Sequence, residues 1–408
     1  MPVFPVDASP GEPYHASMQA IRCGVIGVGN MGGYHAHRLA EGRIAHATLA
    51  AVSDLDPAQL AQFPTVPGFT DSRSLLRSGL VDAVLIATPH YDHTMIGIDA
   101  LGQGLHVLVE KPISVHKADC EQLVAAHTNP RQVFAAMLNQ RTDPYFQKIR
   151  ALVRSGELGE LRRLSWTITD WFRTDAYYAS GGWRATWAGE GGGVLLNQAT
   201  HNLDLWQWMF GMPVRVRAIC GRGRFHPIEV EDAVTAIWEY ANGATGVFTT
   251  TTGEAPGTNR LEVAGDRGQI VYENNVLRFT QTTGSVSDFC RQSPQHYARP
   301  VQTAQVFEFP DHGGQHTAIL QNFIDAILDG QPLLAPAAEG HGAVELANAM
   351  LWSSLRDTPI RLPLDAAGYA QQLRQLCATS QLKKTTKAKH SAEVAPYLVK
   401  EQSKDHSA

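Results

Sequence analysis

Short apolar segments alternate with helix-length segments over residues 21–138, and this alternation restricts the possible folds more than any other feature. Five of the apolar segments are predicted strands, at residues 23–26, 47–52, 83–87, 106–109 and 132–138. The segments that begin at residues 31, 57, 93 and 115 are predicted helices. Parallel strands need crossover connections of this kind, so the pattern predicts a doubly wound parallel sheet with helices on both faces.

The pattern changes after about residue 141, where a predicted helix at 145–155 precedes a predicted strand at 161–172. Further segments rich in β-branched residues follow, separated by turn signals such as Asn242-Gly243, at residues 213–221, 230–240, 244–251, 259–265, 268–273 and 276–280. Predicted helices cover about 195–210, 315–329 and 340–355. This half is therefore predicted to be an α/β domain with a large, mostly antiparallel open sheet.

A chain of 408 residues is too long for one ordinary hydrophobic core, so two domains are expected. We predict a flexible leader at residues 1–20, a parallel-sheet domain at 21–140 and an α+β domain at 141–365. Residues 366–408 are predicted to form a C-terminal helix and a Lys-rich disordered tail.

Charge and cysteine content exclude several classes of protein. The formal net charge of −5 argues against nucleic-acid binding, which needs a concentrated basic face. The five cysteines are scattered, and no two of them form a C-x-x-C pair. Disulfides and a structural zinc site are therefore not expected, and we expect the protein to be in a reducing compartment. No apolar run has the length of a signal peptide or a membrane span. We therefore expect a cytoplasmic protein that binds neither nucleic acid nor membrane.

A glycine-rich turn joins the first predicted strand to the first predicted helix. In this context the first glycine permits a tight turn, the second lets a pyrophosphate approach, and the third permits close helix–strand packing. The N–H groups at the start of the helix then face the phosphates. The residues of the predicted dinucleotide site in this turn are Gly27, Gly29, Asn30, Met31 and Gly32.

The second predicted strand ends at Asp54, which bears on the choice of dinucleotide. A carboxylate there accepts hydrogen bonds from both ribose hydroxyls of NAD and repels the 2′-phosphate of NADP. Asp54 therefore favours NAD over NADP. The alternative is that Asp54 caps the next helix, for which Asp56 competes.

Two further motifs follow the third and fourth predicted strands, Thr88-Pro89-His90-Tyr91-Asp92-His93 and Glu110-Lys111-Pro112. Together with the glycine turn they resemble the Gfo/Idh/MocA oxidoreductases, the family of glucose–fructose oxidoreductase and inositol dehydrogenase. The resemblance covers about residues 21–365. It implies a Rossmann NAD-binding domain and a second domain that binds a sugar, polyol or glycoside and forms a homodimer or homotetramer through its sheet. The cofactor contacts implied in these motifs are Thr88, Pro89, His93, Glu110 and Lys111.

Lys111 lies one residue beyond the end of a predicted strand, where ligands of open α/β sheets bind. The proline after it restricts the backbone and so orients the side chain. A lysine in this place can bind a substrate hydroxyl, or transfer its proton if nearby positive charge lowers its pKa. The alternative is a surface lysine in a loop.

A second chemical cluster runs from three glycines at 191–193 to Asp204. Asn197 and His201 are four residues apart on a predicted helix and so share one face, with Asp204 near it one turn further on. The family that the chain resembles commonly has Asp-x-x-x-His here, which implies that His201 is the acid/base. Asn197 stands in the aspartate position, where an amide cannot take up a proton but can orient a hydroxyl. The alternative for His201 is a core histidine packed under Trp206.

Polar and aromatic residues near strand ends and before the glycines are further candidates for substrate contacts: Gln140, Arg141, Trp171, Arg173 and Arg184. Aromatic faces flanked by charged groups suit a sugar ring, and a Trp-rich wedge between domains is an equally good interpretation. A metal site is not expected, because the strand pattern scatters the residues of ligand type: His226, Glu229, Glu231 and Asp232.

Three functions remain open. The leading one is an NAD-dependent dehydrogenase acting on CH–OH groups of a sugar, inositol or glycoside ring, with Lys111, His201 and Asn197 as the catalytic group. The second is a redox-assisted glycosidase, which oxidises carbon 3 transiently and forms no net NADH; the missing aspartate at Asn197 leaves room for it. The third is a non-catalytic NAD(H) sensor, which would need neither Lys111 nor His201.

Overall fold

The computed structural model describes residues 20–381. Except for residue 20, the predicted leader lies outside the described residues, and so does the predicted tail beyond residue 381. Within the described range, no helix is both long enough and apolar enough to cross a membrane.

The first part of the chain forms a six-stranded sheet. Its elements, in chain order, are β1 (Ile21–Ile26), α1 (Asn30–Ala40), β2 (Ala47–Ser53), α2 (Pro57–Leu60), β3 (Gly68–Phe69), α3 (Ser72–Leu76), β4 (Ala83–Ile86), α4 (Asp92–Gly102), β5 (His106–Val109), α5 (Lys117–Ala125) and β6 (Phe134–Ala136). The strand order is β3-β2-β1-β4-β5-β6, with parallel pairing throughout. The sequence pattern does not predict β3 and α3, because segments of two and five residues are too short to show a period.

The rest of the chain builds a nine-stranded sheet. The elements are α6 (Pro144–Arg154), β7 (Leu161–Ile168), α7 (Asp175–Ala179), α8 (Thr200–Phe210), β8 (Arg215–Arg222), β9 (Glu231–Glu239), β10 (Thr245–Thr251), β11 (Asn259–Gly265), β12 (Gly268–Glu273), β13 (Val276–Thr282), α9 (Val286–Gln292), β14 (Gln302–Phe307), α10 (Gln315–Asp329), α11 (His341–Arg356), β15 (Ile360–Arg361) and α12 (Ala366–Ala378). The order is β14-β13-β12-β11-β7-β10-β9-β8-β15. The β7–β10 pair is parallel and the other pairs are antiparallel, which confirms the predicted fold class.

The two faces of the nine-stranded sheet differ. On one face, Trp166 and Trp238 contact Trp206 of α8 in a buried core. On the other face, Ile219 of β8 and Ile237 of β9 are 74% and 53% exposed. Strand residues point alternately to the two faces, so this open face is a surface with exposed apolar side chains.

Helix α10 packs with the first sheet although it follows the second in the chain. Ile319, Phe323 and Ile324 are buried in the same hydrophobic core as Val25 of β1 and Leu85 of β4. The chain thus returns to the parallel sheet after building most of the antiparallel one. The domain boundaries at residues 140 and 365 stay a prediction.

Helix α8 begins at Thr200 and not near residue 195, and the predicted common helical face of Asn197 and His201 is wrong. The Glu231 carboxylate accepts hydrogen bonds from the N–H groups of Gly193 (2.9 Å) and Leu195 (3.1 Å). A Cβ at residue 193 would lie 2.0 Å from the carbonyl oxygen of Glu231. These contacts hold residues 193–199 in turns, so Asn197 precedes the helix.

Candidate active site

The glycine turn between β1 and α1 is closed on the side of the sheet and open on the other. Gly27 has a φ of +82°, and a Cβ on it would lie 2.8 Å from the carbonyl oxygen of Ala87. A Cβ on Gly32 would lie 1.7 Å from the Gly27 carbonyl oxygen. At Gly29, by contrast, no described atom lies within 4 Å of such a Cβ. The open side is where a pyrophosphate would approach.

Helix α1 offers backbone donors at this opening. Its N-cap residue is Gly29, which provides no side-chain cap, and its first turn contains no acidic residue. Asn30 is exposed and Met31 is half-buried. The N–H groups of the first turn are therefore accessible to phosphates, whose charge the positive end of the helix dipole favours.

Asp54 and Thr88 border the same opening. Asp54 accepts the N–H groups of Val28 and Asp56, each at 2.9 Å, whereas helix α2 is capped by Asp56. The Asp54 carboxylate thus connects the glycine turn to the end of β2 and lies in a place that suits ribose hydroxyls. The Thr88 hydroxyl, after β4, is buried with no hydrogen-bond partner in the described chain. These features fit NAD.

The predicted cofactor contact His93 is a buried support of the cleft. Its ring nitrogens lie 2.8 Å from the carbonyl oxygen of Pro112 and 2.9 Å from that of Thr88. The side chain is fully buried, while Pro89 in the same loop is half-buried. The His93 ring therefore joins the loops after β4 and β5, and its nitrogens do not face a ligand.

Glu110 is also buried, beneath Lys111. Its Oε1 lies 2.8 Å from His35 Nε2, and its Oε2 accepts the N–H of Lys111 at 3.1 Å. Burial raises the pKa of Glu110, but the hydrogen bond from His35 and the charges of His35, His316 and Lys111 together lower it to about 2. This ionised carboxylate positions Lys111 and is not itself open to a cofactor.

The Lys111 ammonium lies at the centre of the cleft. Its Nζ donates a hydrogen bond to the backbone carbonyl of Asn197 at 2.8 Å. Burial, with the nearby charges of Arg184 and Arg173, lowers the pKa of Lys111 to about 8, although Glu110 acts in the opposite direction. The group is therefore largely charged at neutral pH and loses its proton in mildly alkaline solution.

Glu190 lies beside Asn197 and is a site residue that the sequence pattern did not predict. Its Oε1 accepts a hydrogen bond from Asn197 Nδ2, and its Oε2 accepts the N–H of Ala185 at 2.6 Å. The residue is 2% exposed, and burial raises its pKa. The one sequence feature that could have indicated Glu190 is a single acidic residue between two glycines, in Gly189-Glu190-Gly191. Glu190 places a carboxylate against the amide that stands in the family's aspartate position.

His201 lies in the first turn of α8, and its Nδ1 is buried with no hydrogen-bond partner among residues 20–381. Burial, followed by the charges of Lys111 and His316, holds its pKa well below the usual value. The imidazole is therefore neutral at neutral pH and able to accept a proton. Lys111 thus contacts Asn197 directly and acts electrostatically on His201.

The structure contradicts the expected substrate contact at Arg141, in the loop after β6. Arg141 is fully buried, donates to Asp204 through Nε at 2.8 Å and Nη2 at 2.7 Å, and pairs with Glu339. Its donors are directed to these carboxylates and not to a substrate, and Asp204 is likewise occupied. Gln140, next to it, is half-buried.

Aromatic rings and two arginines form one side of the cleft. The Cζ atoms of Arg173 and Arg184 lie 5.2 and 4.7 Å from the centre of the Tyr177 ring. Arg184 also lies over Trp183, at 4.5 Å, and Arg173 lies 5.7 Å from the ring centre of Trp171. We call Trp171, Arg173, Tyr177, Trp183 and Arg184 the arginine–aromatic wall.

The residues of metal-ligand type after β8 have separate partners. Glu231 binds the 193–195 backbone, and Glu229 accepts the N–H of Trp187 at 2.7 Å. His226 Nδ1 lies 3.2 Å from Asp232 Oδ2. Within the described residues, no group of three or more such side chains converges as a metal site would require.

Comparison with protein families matches both halves of the chain. Residues 21–136 match the model described as the oxidoreductase family, NAD-binding Rossmann fold, and residues 146–271 match the model of the GFO/IDH/MocA C-terminal domain. A myo-inositol 2-dehydrogenase from Thermotoga maritima is 24% identical over 81% of this chain and 95% of its own. A levoglucosan dehydrogenase from Pseudarthrobacter phenanthrenivorans is 25% identical over 85% of this chain and 99% of its own.

Solved structures show the same fold. The WlbA dehydrogenase from Bordetella pertussis, in complex with NADH and UDP-GlcNAcA, matches with a TM-score of 0.70 at 24% identity, over 85% of this chain and 100% of that one. A levoglucosan dehydrogenase in complex with NADH and levoglucosan has a TM-score of 0.70 at 21% identity, with coverage of 85% and 100%. The predicted family resemblance and the predicted NAD cofactor are confirmed.

Proposed function

This chain belongs to the Gfo/Idh/MocA family of NAD-binding oxidoreductases, and we propose that it transfers hydride between nicotinamide and a ring hydroxyl of a sugar, inositol or glycoside. The observation that carries the proposal is the cluster of a half-buried lysine, Lys111, with the Asn197 carbonyl and the neutral His201 beyond the ends of the parallel strands. The relatives named for myo-inositol and levoglucosan support a ring hydroxyl as the reacting group.

His201 is the proposed proton acceptor. Its neutral imidazole has a buried Nδ1 without a partner among the described residues, and the Lys111 charge disfavours protonation before substrate binds. As the hydroxyl proton moves to His201, the substrate oxygen becomes negative. Bound NAD⁺ supplies the acceptor for the hydride that leaves the carbinol carbon.

Lys111 is the proposed stabiliser of that negative oxygen. Its ammonium is held by the Asn197 carbonyl and by the charge of Glu110. A charged donor that is already oriented stabilises an alkoxide more strongly than bulk water does. The Asn197 amide, fixed by Glu190, orients a neighbouring hydroxyl.

A panel of sugars, inositols and glycosides tests the proposal. With a simple dehydrogenase, NADH absorbance rises in step with the oxidised product seen by chromatography. Release of the aglycone with no net NADH would identify the redox-assisted glycosidase instead. No turnover of any member of the panel would leave the NAD(H) sensor and contradict the proposal.

We also propose that the open face of the nine-stranded sheet joins copies of this chain. Ile219 and Ile237 are exposed there, and their burial between subunits is favourable.

Replacing both Ile219 and Ile237 with Asp is expected to convert the assembly to monomers, as measured by size-exclusion chromatography with light scattering. Leu55→Asp, at a residue 84% exposed outside this sheet, is the matched control and should leave the assembly intact. A monomeric wild type would refute the proposed subunit interface.

We also propose a cytoplasmic location. This proposal rests on the cysteine pattern of the sequence.

A further inference from the structure

Two guanidinium groups share one aromatic ring in the arginine–aromatic wall. Arg173 and Arg184 both lie against the Tyr177 ring, and Arg184 Nη1 donates to the Tyr177 hydroxyl at 2.8 Å. Both side chains are half-buried. Two positive charges that share one ring repel each other, and an anion bound beside them would offset that repulsion.

No carboxylate in the described part of the chain forms an ion pair with either arginine. Asp170 and Glu190 act on Arg173 and Arg184 through charge alone. Both oxygens of Glu190 are already occupied, by Asn197 Nδ2 and the Ala185 N–H. A guanidinium has five N–H donors, and among residues 20–381 the side-chain hydrogen bonds of Arg173 go only to the carbonyls of residues 171 and 172. Donors of both arginines therefore remain for a ligand.

The wall is joined to the reacting groups by short hydrogen-bonded links. The Tyr177 hydroxyl accepts a hydrogen bond from Gln198 Nε2 at 3.0 Å, and Gln198 follows Asn197, whose carbonyl holds Lys111. The charge of Arg184 also acts on Lys111. The two arginines thus lie at the edge of the cleft that contains the proposed proton acceptor.

We propose that Arg173 and Arg184 bind an oxyanion carried by the substrate, a carboxylate or a phosphate ester of the sugar, while Lys111 and His201 act on a hydroxyl of the same molecule. The planar forked donors of arginine match both oxyanions, and the Tyr177 and Trp183 rings hold the two guanidinium groups in place. The inference rests on the proposed function and narrows its substrate class to acidic sugars.

The test compares D-glucose, D-glucuronate and D-glucose 6-phosphate, which differ only at carbon 6, by NADH formation. An acidic member is expected to have the highest kcat/KM in the wild type. Arg184→Met and Arg173→Met should each lower that value by about 10–100-fold, the effect of losing a charged hydrogen bond. The value for glucose should fall much less, through the loss of a charge that acts on Lys111, and the KM for NAD should not change. Arg184→Lys keeps the positive charge but loses the planar pair of N–H donors, so its kcat/KM for the acidic sugar should lie between the values of the wild type and Arg184→Met. The exposed Arg278→Met is the matched control.

The outcomes separate the two levels of the proposal. Preference for glucuronate or for the phosphate ester identifies the source of the oxyanion. Oxidation of glucose with no preference for either acid, or equal losses for neutral and acidic sugars in the variants, overturns the inference and leaves the proposed function standing. If no sugar is oxidised, the proposed function fails, and quenching of tryptophan fluorescence by the two acids in the presence of NADH then decides the inference. Quenching that Arg184→Met abolishes supports an oxyanion site, and absence of quenching refutes it.

Discussion

Replacing His201 with alanine is expected to lower kcat by about 10²–10⁴-fold, the usual contribution of a positioned general base. The imidazole is neutral because burial and the charges of Lys111 and His316 lower its pKa. In its absence, the Asn197 amide beside the cleft cannot take up the hydroxyl proton. Stopped-flow measurement of NADH formation on the best substrate of the sugar panel checks this directly.

Two controls make the His201 result specific. NADH binding, followed by fluorescence, should be unchanged in His201→Ala, because the glycine turn and Asp54 hold the nucleotide in a different part of the cleft. His296→Ala, at an exposed histidine in the loop before β14, should keep the wild-type rate. A His201→Ala enzyme with near-normal kcat would remove His201 from the mechanism.

The features that the sequence predicted well are those with local causes. The glycine turn is recognisable because Gly27 and Gly32 approach each other within six residues, and no side chain fits between them. The position of Lys111 is recognisable because ligands of open α/β sheets bind beyond the carboxyl ends of the strands, and its role stays a prediction. The strands of the second sheet are recognisable because one face of the sheet is buried, so that apolar and polar residues alternate along each strand.

Features that depend on distant partners were mispredicted or missed. Arg141 looked like a substrate ligand because it follows a strand, yet it pairs with Asp204, 63 residues later in the chain. The start of α8 was predicted too early because the Glu231 carboxylate, which holds the preceding turn, comes from β9. Such pairings join residues far apart in the sequence and form only when the chain folds, so no local pattern predicts them.

Glu190 is the clearest example of a displaced function. The family that the chain resembles commonly has an aspartate where this chain has Asn197, so the sequence alone suggests that a carboxylate is lost from the site. In the folded chain the glycines around Glu190 let the backbone turn so that its side chain meets the Asn197 amide. A carboxyl group is therefore still present in the site, one hydrogen bond away from the residue in the aspartate position, which is consistent with a plain dehydrogenase.

Replacing Lys111 with methionine is expected to lower kcat/KM by about 10²–10³-fold, the loss typical of a donor that stabilises a developing oxyanion. Since the pKa of Lys111 is lowered to about 8 by burial and by the neighbouring arginines, the wild-type kcat/KM should also decline as pH rises through about 8, when the ammonium loses its proton. On the acid side, kcat/KM should decline only well below pH 6.5, where His201 becomes protonated.

The pH profile of the variant decides between the two possible roles of this lysine. If Lys111 acts in its charged form, Lys111→Met should have a low rate that no longer declines near pH 8, while Lys148→Met, which removes a lysine lying against Phe307, keeps the wild-type profile. If Lys111 were instead the base, the wild-type rate would climb through pH 8 and the climb would vanish in Lys111→Met. That result would move the proton from His201 to Lys111 and would contradict the mechanism proposed above, because one cleft does not need two groups to accept a single hydroxyl proton.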